Sequence, residues 1–321
     1  MSAIAPDPAD LQLVTAVLAG GRRELARLIT LLESALPEHR QRADAVLQCL
    51  LPHTGRALRV GISGVPGAGK STFIEALGMQ LIAAGQRVAV LSVDPSSAVS
   101  GGSILADKTR MTRLAASEQA FIRPSPSAGT LGGVAAATRE AMLACEAAGY
   151  GVVLVETVGV GQSESAVSSL TDVLLVLQVP HTGDDLQAIK RGLLEMADII
   201  AVNKCDVDAA AAQRAAAQLH AARGQQVRCV SALKQSGLEE LWADVNALYQ
   251  RRLDSGEIAK RRQQQNVRWM WDLLVAGLED RLRNHKEAQA LLAEAEEAVR
   301  TARLEPRVAA MALLNRFTRM E

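Results

Sequence analysis

Apolar positions change their spacing twice along this chain. From Leu11 to Leu50 they recur at helical intervals (Leu11, Val14, Val17 and Leu18, then Leu25, Leu28, Leu31 and Leu32) among Arg and Glu. That spacing predicts a helical segment, which Pro52 and Gly55 close. From Leu58 the pattern becomes short β-branched runs separated by helical stretches, the arrangement of parallel strands joined by crossover helices. The runs predict strands at Leu58 to Ser63, Val88 to Val93, Ala120 to Arg123, Val152 to Thr157, Val173 to Val179, Ile199 to Asn203 and Val227 to Ser231. Several are apolar at every position, as strands covered on both faces must be. Helices are predicted at Ser71 to Ala84, Leu105 to Ser117, Gly132 to Ala148, Asp185 to Met196, Ala209 to Ala222 and Gly237 to Gln250.

After Arg251 no further strand is predicted. Residues 252–303 are charged and rich in Ala and Leu, with Trp269, Trp271, Leu274, Leu278 and Leu282 forming a stripe, and Pro306 precedes a last short helix, Val308 to Phe317. This helical region either packs on its own domain or is an arm exchanged with a second subunit. The arm is favoured, because the α/β core is complete without it. The expected organisation is therefore a helical extension at 1–55, an α/β domain at 56–251 and a helical arm at 252–321. The fold class is a three-layer α/β fold with a mostly parallel central sheet and helical extensions at both ends.

Composition narrows the function. Lys plus Arg equals Asp plus Glu at 35 each, and only 2% of residues are aromatic. Neither a basic face for a duplex nor a stacking platform for single strands is indicated, so no nucleic-acid partner is expected. No stretch is apolar and long enough to span a bilayer and no secretory signal opens the chain, so a cytoplasmic protein without a membrane partner is expected, with a mitochondrial matrix setting as the alternative. Cys49, Cys145, Cys205 and Cys229 are far apart in sequence with no CxxC, which reads as buried free thiols in a reducing compartment.

The first predicted strand runs into Gly64-Val-Pro-Gly-Ala-Gly69-Lys70-Ser71, a match to GxxxxGK[ST] that opens a helix. Glycines there let successive backbone N–H groups converge on a phosphate at a helix N-terminus. Gly64, Pro66, Gly67, Ala68, Gly69, Lys70, Ser71 and Thr72 are thus expected to bind nucleotide. Lys70 would reach the β- and γ-phosphates, and the Ser71 hydroxyl would ligate Mg²⁺. The fourth strand ends in Glu156-Thr-Val-Gly159. Glu156 at that tip is placed to hold Mg²⁺ or its water, the alternative being a capping carboxylate; Gly159 could offer its N–H to the γ-phosphate.

The sixth strand ends in Asn203-Lys204-Cys205-Asp206, an NKxD sequence. A carboxylate with two acceptor oxygens matches the paired N1–H and N2–H₂ donors of guanine, which adenine lacks. Asp206 would therefore select the base, Lys204 would lie across it and Asn203 would pin the loops. Ser231-Ala232-Leu233, after the last strand, matches a second guanine-side loop, with a plain helix N-cap at Ser231 as the alternative. GTP and GDP are the nucleotides implied.

Between these motifs lie Ser92-Val-Asp94-Pro-Ser-Ser97, the Ser100 to Met111 segment holding Asp107 and Arg110, Gly129-Thr-Leu-Gly-Gly133, and Glu156-Thr-Val-Gly-Val-Gly-Gln162-Ser-Glu164. This string resembles the MeaB/ArgK family of P-loop GTPases, chaperones of adenosylcobalamin-dependent acyl-CoA mutases. The resemblance covers Leu58 to Ser231 by motif and the two helical ends by architecture. It implies that Asp94, Asp107 and Glu156 surround Mg²⁺; for Asp107 an acid at a helix N-terminus is the alternative from the residues alone. It also implies that Arg110 belongs to a nucleotide-responsive switch, that Asp184 and Lys190 belong to a further switch facing the mutase, with Lys190 speeding hydrolysis, and that the C-terminal helices make a homodimer. His181-Thr182-Gly183 stands where the family more often has Gly-Ala-Gly, and Ala106 replaces a common Gly. An adenosyltransferase is a further partner in that picture, and adenosylcobalamin is expected only on partners, since no DxHxxG is present.

No Gln directly follows Gly159; Val160 is there, and Gln162 is the nearest switch candidate. Slow unassisted turnover is expected. Lys70, Glu156, Asp94 and Lys190 are the residues expected to act in hydrolysis. The rival readings are a nucleotide-driven ATPase or kinase linked to basic amino-acid transport, a metallochaperone GTPase, and a scaffold that binds nucleotide without turning it over.

Overall fold

The structure, a computed structural model, describes residues 6–34, 36–93, 111–125, 131–157, 163–180 and 191–317. The chain divides into two compact units, Met1–Gln265 and Asn266–Glu321.

The first unit opens with three helices, α1 (Pro8–Leu18), α2 (Arg22–Leu32) and α3 (Pro37–Leu50). The continuous helical pattern of the sequence is thus broken at two predictable points. Gly20 takes a positive φ of 86°, and Pro37 starts α3 at a position whose missing N–H costs nothing. Asp7 caps α1 through the Asp10 amide, and the buried Asp10 carboxylate pairs with Arg42 of α3.

Seven strands follow: β1 (Leu58–Gly64), β2 (Val88–Val93), β3 (Ala120–Ser125), β4 (Val152–Thr157), β5 (Val173–Gln178), β6 (Ile199–Val202) and β7 (Val227–Cys229). They form one sheet in the order β3-β2-β4-β1-β5-β6-β7, and every described pairing is parallel. The interleaved helices are α4 (Lys70–Ala83), α5 (Thr112–Ala116), α6 (Leu131–Ala147), α7 (Ser163–Leu170), α8 (Arg191–Met196), α9 (Ala209–Arg223) and α10 (Leu238–Asp254). The α/β expectation therefore holds.

Alternation within the apolar strands sorts their side chains into two cores. Val60, Ile62, Leu154, Leu175 and Leu177 face α4, α5 and α10. Val153, Val155, Leu174, Val176 and Val202 face α6, α7 and α9, with the N-terminal helices continuing the same cluster. Helix α2 lies on α6, so the N-terminal helices make a second layer over that face. Arg123, from β3, reaches the Glu33 carboxylate of α2 and fastens this layer to the sheet. Helix α7 is absent from the predicted set: Ser-Glu-Ser-Ala-Val-Ser-Ser-Leu carries only one strong apolar side chain before its end. It is held where β1 has Gly61, whose missing Cβ leaves room for Val167 and Thr171.

Helix α11 (Glu257–Asn284) begins in the first unit and crosses into the second. Its first turns are seated by Arg262. That guanidinium binds the Asp172 carboxylate and the carbonyls of Gly55 and Ala57, while Asp172 also accepts the Arg59 amide. The second unit contains the rest of α11, α12 (Lys286–Arg300) and α13 (Pro306–Phe317), with His285 edge-on to Phe317. Along this part of α11, Val267, Trp271, Leu274 and Leu278 recur at i, i+4, i+7 and i+11 and are all exposed.

Candidate nucleotide-binding site

The loop after β1 needs glycine at two points. Gly64 sits at φ 153°, and a Cβ there would lie 2.3 Å from the Leu177 carbonyl oxygen of β5. Gly69 sits at φ 81° as the residue before α4, and its Cβ would meet Asn203 Nδ2 at 3.0 Å. These two constraints bend the chain from the strand tip directly into a helix N-terminus, where unpaired backbone N–H groups favour an anion. Ala68 is buried beneath the loop, while Pro66, Gly67 and Thr72 are exposed on it. Lys70 Nζ folds back over its own loop and donates to the Gly64 carbonyl at 3.0 Å.

Beside the loop, at the end of β4, the Ser71 hydroxyl donates to Glu156 Oε1 at 3.0 Å. Glu156 is 3% exposed. The next residue, Thr157, donates to Ser63 Oγ at 3.0 Å in full burial, which ties the tips of β4 and β1 together. Asp94, Asp107, Arg110, Gly159, Gln162, Asp184 and Lys190 lie outside the described residues. Among the described residues, no group of three or more His, Cys, Asp or Glu side chains stands ready to hold a metal ion.

The NKxD residues leave β6 at the same end of the sheet. Asn203, 1% exposed, donates through Nδ2 to the Ala68 carbonyl at 2.8 Å and accepts the Ala232 amide on Oδ1 at 3.0 Å. One buried amide thus joins the phosphate-loop residues to the loop after β7. Lys204 adopts a left-handed φ of 62°, and its Cε passes 3.8 Å from the place where a Gly69 Cβ would be. Asp206 is exposed; its Oδ1 accepts the hydroxyl of the fully buried Ser231. Ser231 Oγ in turn accepts the Lys234 amide at 3.1 Å, so the hydroxyl positions the carboxylate while it also caps the turn. Leu233, 73% exposed, stands at the rim. Two supports escaped the sequence reading: the Leu177 carbonyl behind Gly64 and the Ser63–Thr157 bond. Both depend on strand neighbours far apart in the chain, which no local pattern encodes.

Comparison with known proteins is consistent with this geometry. The profile of the family described as "Methylmalonyl Co-A mutase-associated GTPase MeaB" matches residues 25–287. "GTPase ArgK" of Escherichia coli is 49% identical over 262 residues, covering 78% of this chain and 79% of its own length. The mouse "Methylmalonic aciduria type A homolog, mitochondrial" is 42% identical, covering 95% of this chain and 79% of its own. Among solved structures, "LAO/AO transport system kinase" superposes with a TM-score of 0.77 at 34% identity, covering 98% of this chain and 99% of its own. With a profile spanning most of its length, relatives of this identity and a GTP hydrolase's loops at one sheet end, the chain belongs to the MeaB family of GTPases.

Proposed function

We propose that this chain is a GTP-hydrolysing chaperone that gates adenosylcobalamin loading onto an acyl-CoA mutase of the methylmalonyl-CoA type and protects or reactivates that mutase. The observation that carries the nucleotide half is the Asn203 bridge, which couples a phosphate loop to a base loop across the sheet end. The partner half is supported by the family description and by the name of the mouse relative.

In this reading the amides of Gly67, Gly69, Lys70 and Ser71 and the Lys70 ammonium neutralise the triphosphate, and Asp206 reads the guanine edge. Phosphoryl transfer asks for positioning and charge neutralisation more than covalent chemistry, and the loop supplies both from rigid strand tips. Magnesium fits the donor set: Ser71 and Glu156 hold a hydroxyl and a carboxylate oxygen side by side, the hard oxygen ligands that ion prefers. Ser71 and Glu156 would hold it, with Asp94 and Asp107 added by the family resemblance. Bound there, it supplies positive charge to the phosphate oxygens. The exposed apolar stripe of α11 supports a homodimer built through the C-terminal arms. The cytoplasm is the proposed setting; among the described residues no helix is long and apolar enough to cross a membrane.

The test is GTP turnover measured alone and with methylmalonyl-, isobutyryl- and hydroxyisobutyryl-CoA mutases. The expected rate alone is about 10⁻⁴–10⁻² s⁻¹, as for unassisted GTPases, and a cognate mutase raises it. Lys190→Ala should lose that stimulation, and full stimulation in that variant would overturn the switch assignment. Equal affinity for ATP and GTP would overturn the base-site reading. Indifference to every mutase would overturn the chaperone reading.

A further inference from the structure

Two cysteines that are 24 positions apart in sequence lie on neighbouring segments beside the base loop. Cys205 stands between Lys204 and Asp206, and Cys229 ends β7 two residues before Ser231. The Cys205 amide donates to the carbonyl of Val230, the residue directly after Cys229, at 3.1 Å. Cys229 is in register with Val202, three residues before Cys205. Alternation along β7 then fixes the side: Val230 packs in the core under α4 and α10, whereas Cys229 and Cys205 both pack against the core on the opposite face. The two thiols therefore pack against the same face of the sheet, with the Cys205 amide bonded to the residue that follows Cys229. Both are partly exposed, unlike Cys145, which is fully buried. Burial, and to a smaller extent the neighbouring Cys205, push the Cys229 thiol above its ordinary range.

We propose that Cys205 and Cys229 form a dithiol–disulfide couple that weakens guanine-nucleotide binding when oxidised. The oxidant is a low-molecular-weight disulfide, RSSR. One cysteine thiolate attacks a sulfur of RSSR, giving a mixed disulfide and releasing RS⁻, which takes up the proton the thiol gave up. The second cysteine thiolate then attacks the protein sulfur of that mixed disulfide, closes the Cys205–Cys229 bond and releases a second RSH. The protein dithiol loses two electrons and RSSR gains them. The bond would draw the peptide between Lys204 and Asp206 toward β7. That peptide carries the left-handed Lys204 and the carboxylate whose position depends on Ser231. A disulfide tolerates only a narrow geometry, so the loop and not the strand must adjust. The effect on nucleotide rests on the proposed base site; the bond itself does not.

The full chain is equilibrated in glutathione buffers from reduced to oxidised, alkylated, digested and mapped by mass spectrometry, while affinity for a fluorescent GDP is titrated in parallel. The expected result is a Cys205–Cys229 linked peptide, an affinity loss of about ten-fold or more, the size of one lost charge-assisted contact, and full recovery with excess dithiol. Cys229→Ala should bind GDP like the parent under reduction and show no response to oxidation. Absence of the linked peptide at oxidising poise overturns the couple. A linked peptide with unchanged GDP affinity overturns the switch. If the reduced parent fails to prefer GDP over ADP, the base-site reading fails instead, and the peptide map still decides whether the couple exists.

Discussion

Replacing Asn203 with Ala tests whether one amide couples the two loops. The side chain is 1% exposed, and its two bonds go to the Ala68 carbonyl at 2.8 Å and the Ala232 amide at 3.0 Å. Ala68 and Ala232 are themselves buried, at 0% and 5% exposure, so water does not readily replace the lost partner. A buried donor or acceptor left unmatched costs about 1–3 kcal/mol, and two such groups put the loss at about 2–6 kcal/mol. Some local relaxation favours the lower half, about 2–4 kcal/mol, which for a unit of this size lowers the melting temperature by roughly 5–15 °C. Guanine-nucleotide affinity should fall with it, because the Gly69 turn and the Ser231-Ala232 turn are no longer held in a fixed relation. Asn203→Asp sharpens the test. It keeps an acceptor for the Ala232 amide but sets a carboxylate oxygen against the Ala68 carbonyl, so it should lose at least as much as the Ala variant. Differential scanning calorimetry reads the stability, and titration with a fluorescent GDP analogue reads the affinity. If Asn203→Ala melts within about 1 °C of the parent and binds GDP within about two-fold, the bridge does not couple the loops, and the magnitudes of unsatisfied buried groups are wrong here.

Three other changes probe separate parts of the molecule. Gly64→Ala sets a methyl 2.3 Å from the Leu177 carbonyl at a φ of 153° and should cost about 3–5 kcal/mol from strain and overpacking together, read as lost soluble yield or a lower denaturation midpoint. Asp206→Asn should shift base preference from guanine toward xanthine nucleotides with little change in melting temperature, because the side chain is exposed; a competition titration decides it. Burial and the nearby acids Asp44 and Glu33, only partly offset by Arg40 and Arg139, raise Glu140 from 4.5 to about 7. Between those values the folded state holds a proton that the unfolded chain has released, so this group's contribution falls as pH rises and its penalty is complete above pH 7. Glu140→Gln should therefore gain up to about 3 kcal/mol over the parent at pH 8 and nothing at pH 4, measured by urea midpoints at the two pH values. A parent and variant that run parallel across that range would refute the assignment.

What the sequence disclosed depended on how local the cause was. Strands β2 and β4 begin and end where their β-branched runs do, since a strand buried on both faces must be apolar at every position. The helix after β1 was visible for a different reason: the turn into it requires a glycine at Gly69, which sits at φ 81°. Helix α7 escaped because its packing against Gly61 replaces the apolar stripe that a helix of its length otherwise shows. Residues 252–303 read as one helical stretch, yet Gly256 at φ 75° separates α10 from α11 and His285 separates α11 from α12.

Contacts between distant positions had no local trace at all. Asp172 and Arg262 are 90 residues apart, and the pair exists only because α11 returns to the start of β5. The four cysteines read as buried thiols from their spacing, whereas only Cys145 is buried and Cys49, Cys205 and Cys229 are partly exposed. The same logic explains why the described loops of the candidate site carry local signals. Its residues are fixed by the turn geometry and hydrogen-bond chemistry of three short loops, and each loop carries its requirement within a few consecutive positions. A parallel sheet then delivers the ends of β1, β4 and β6 to one edge whatever lies between them. The proposed nucleotide site is thus written locally and assembled by topology. The buried Asn203 amide is the point at which those two levels meet, because its partners are chosen by strand order and its identity by the need to donate and accept at once.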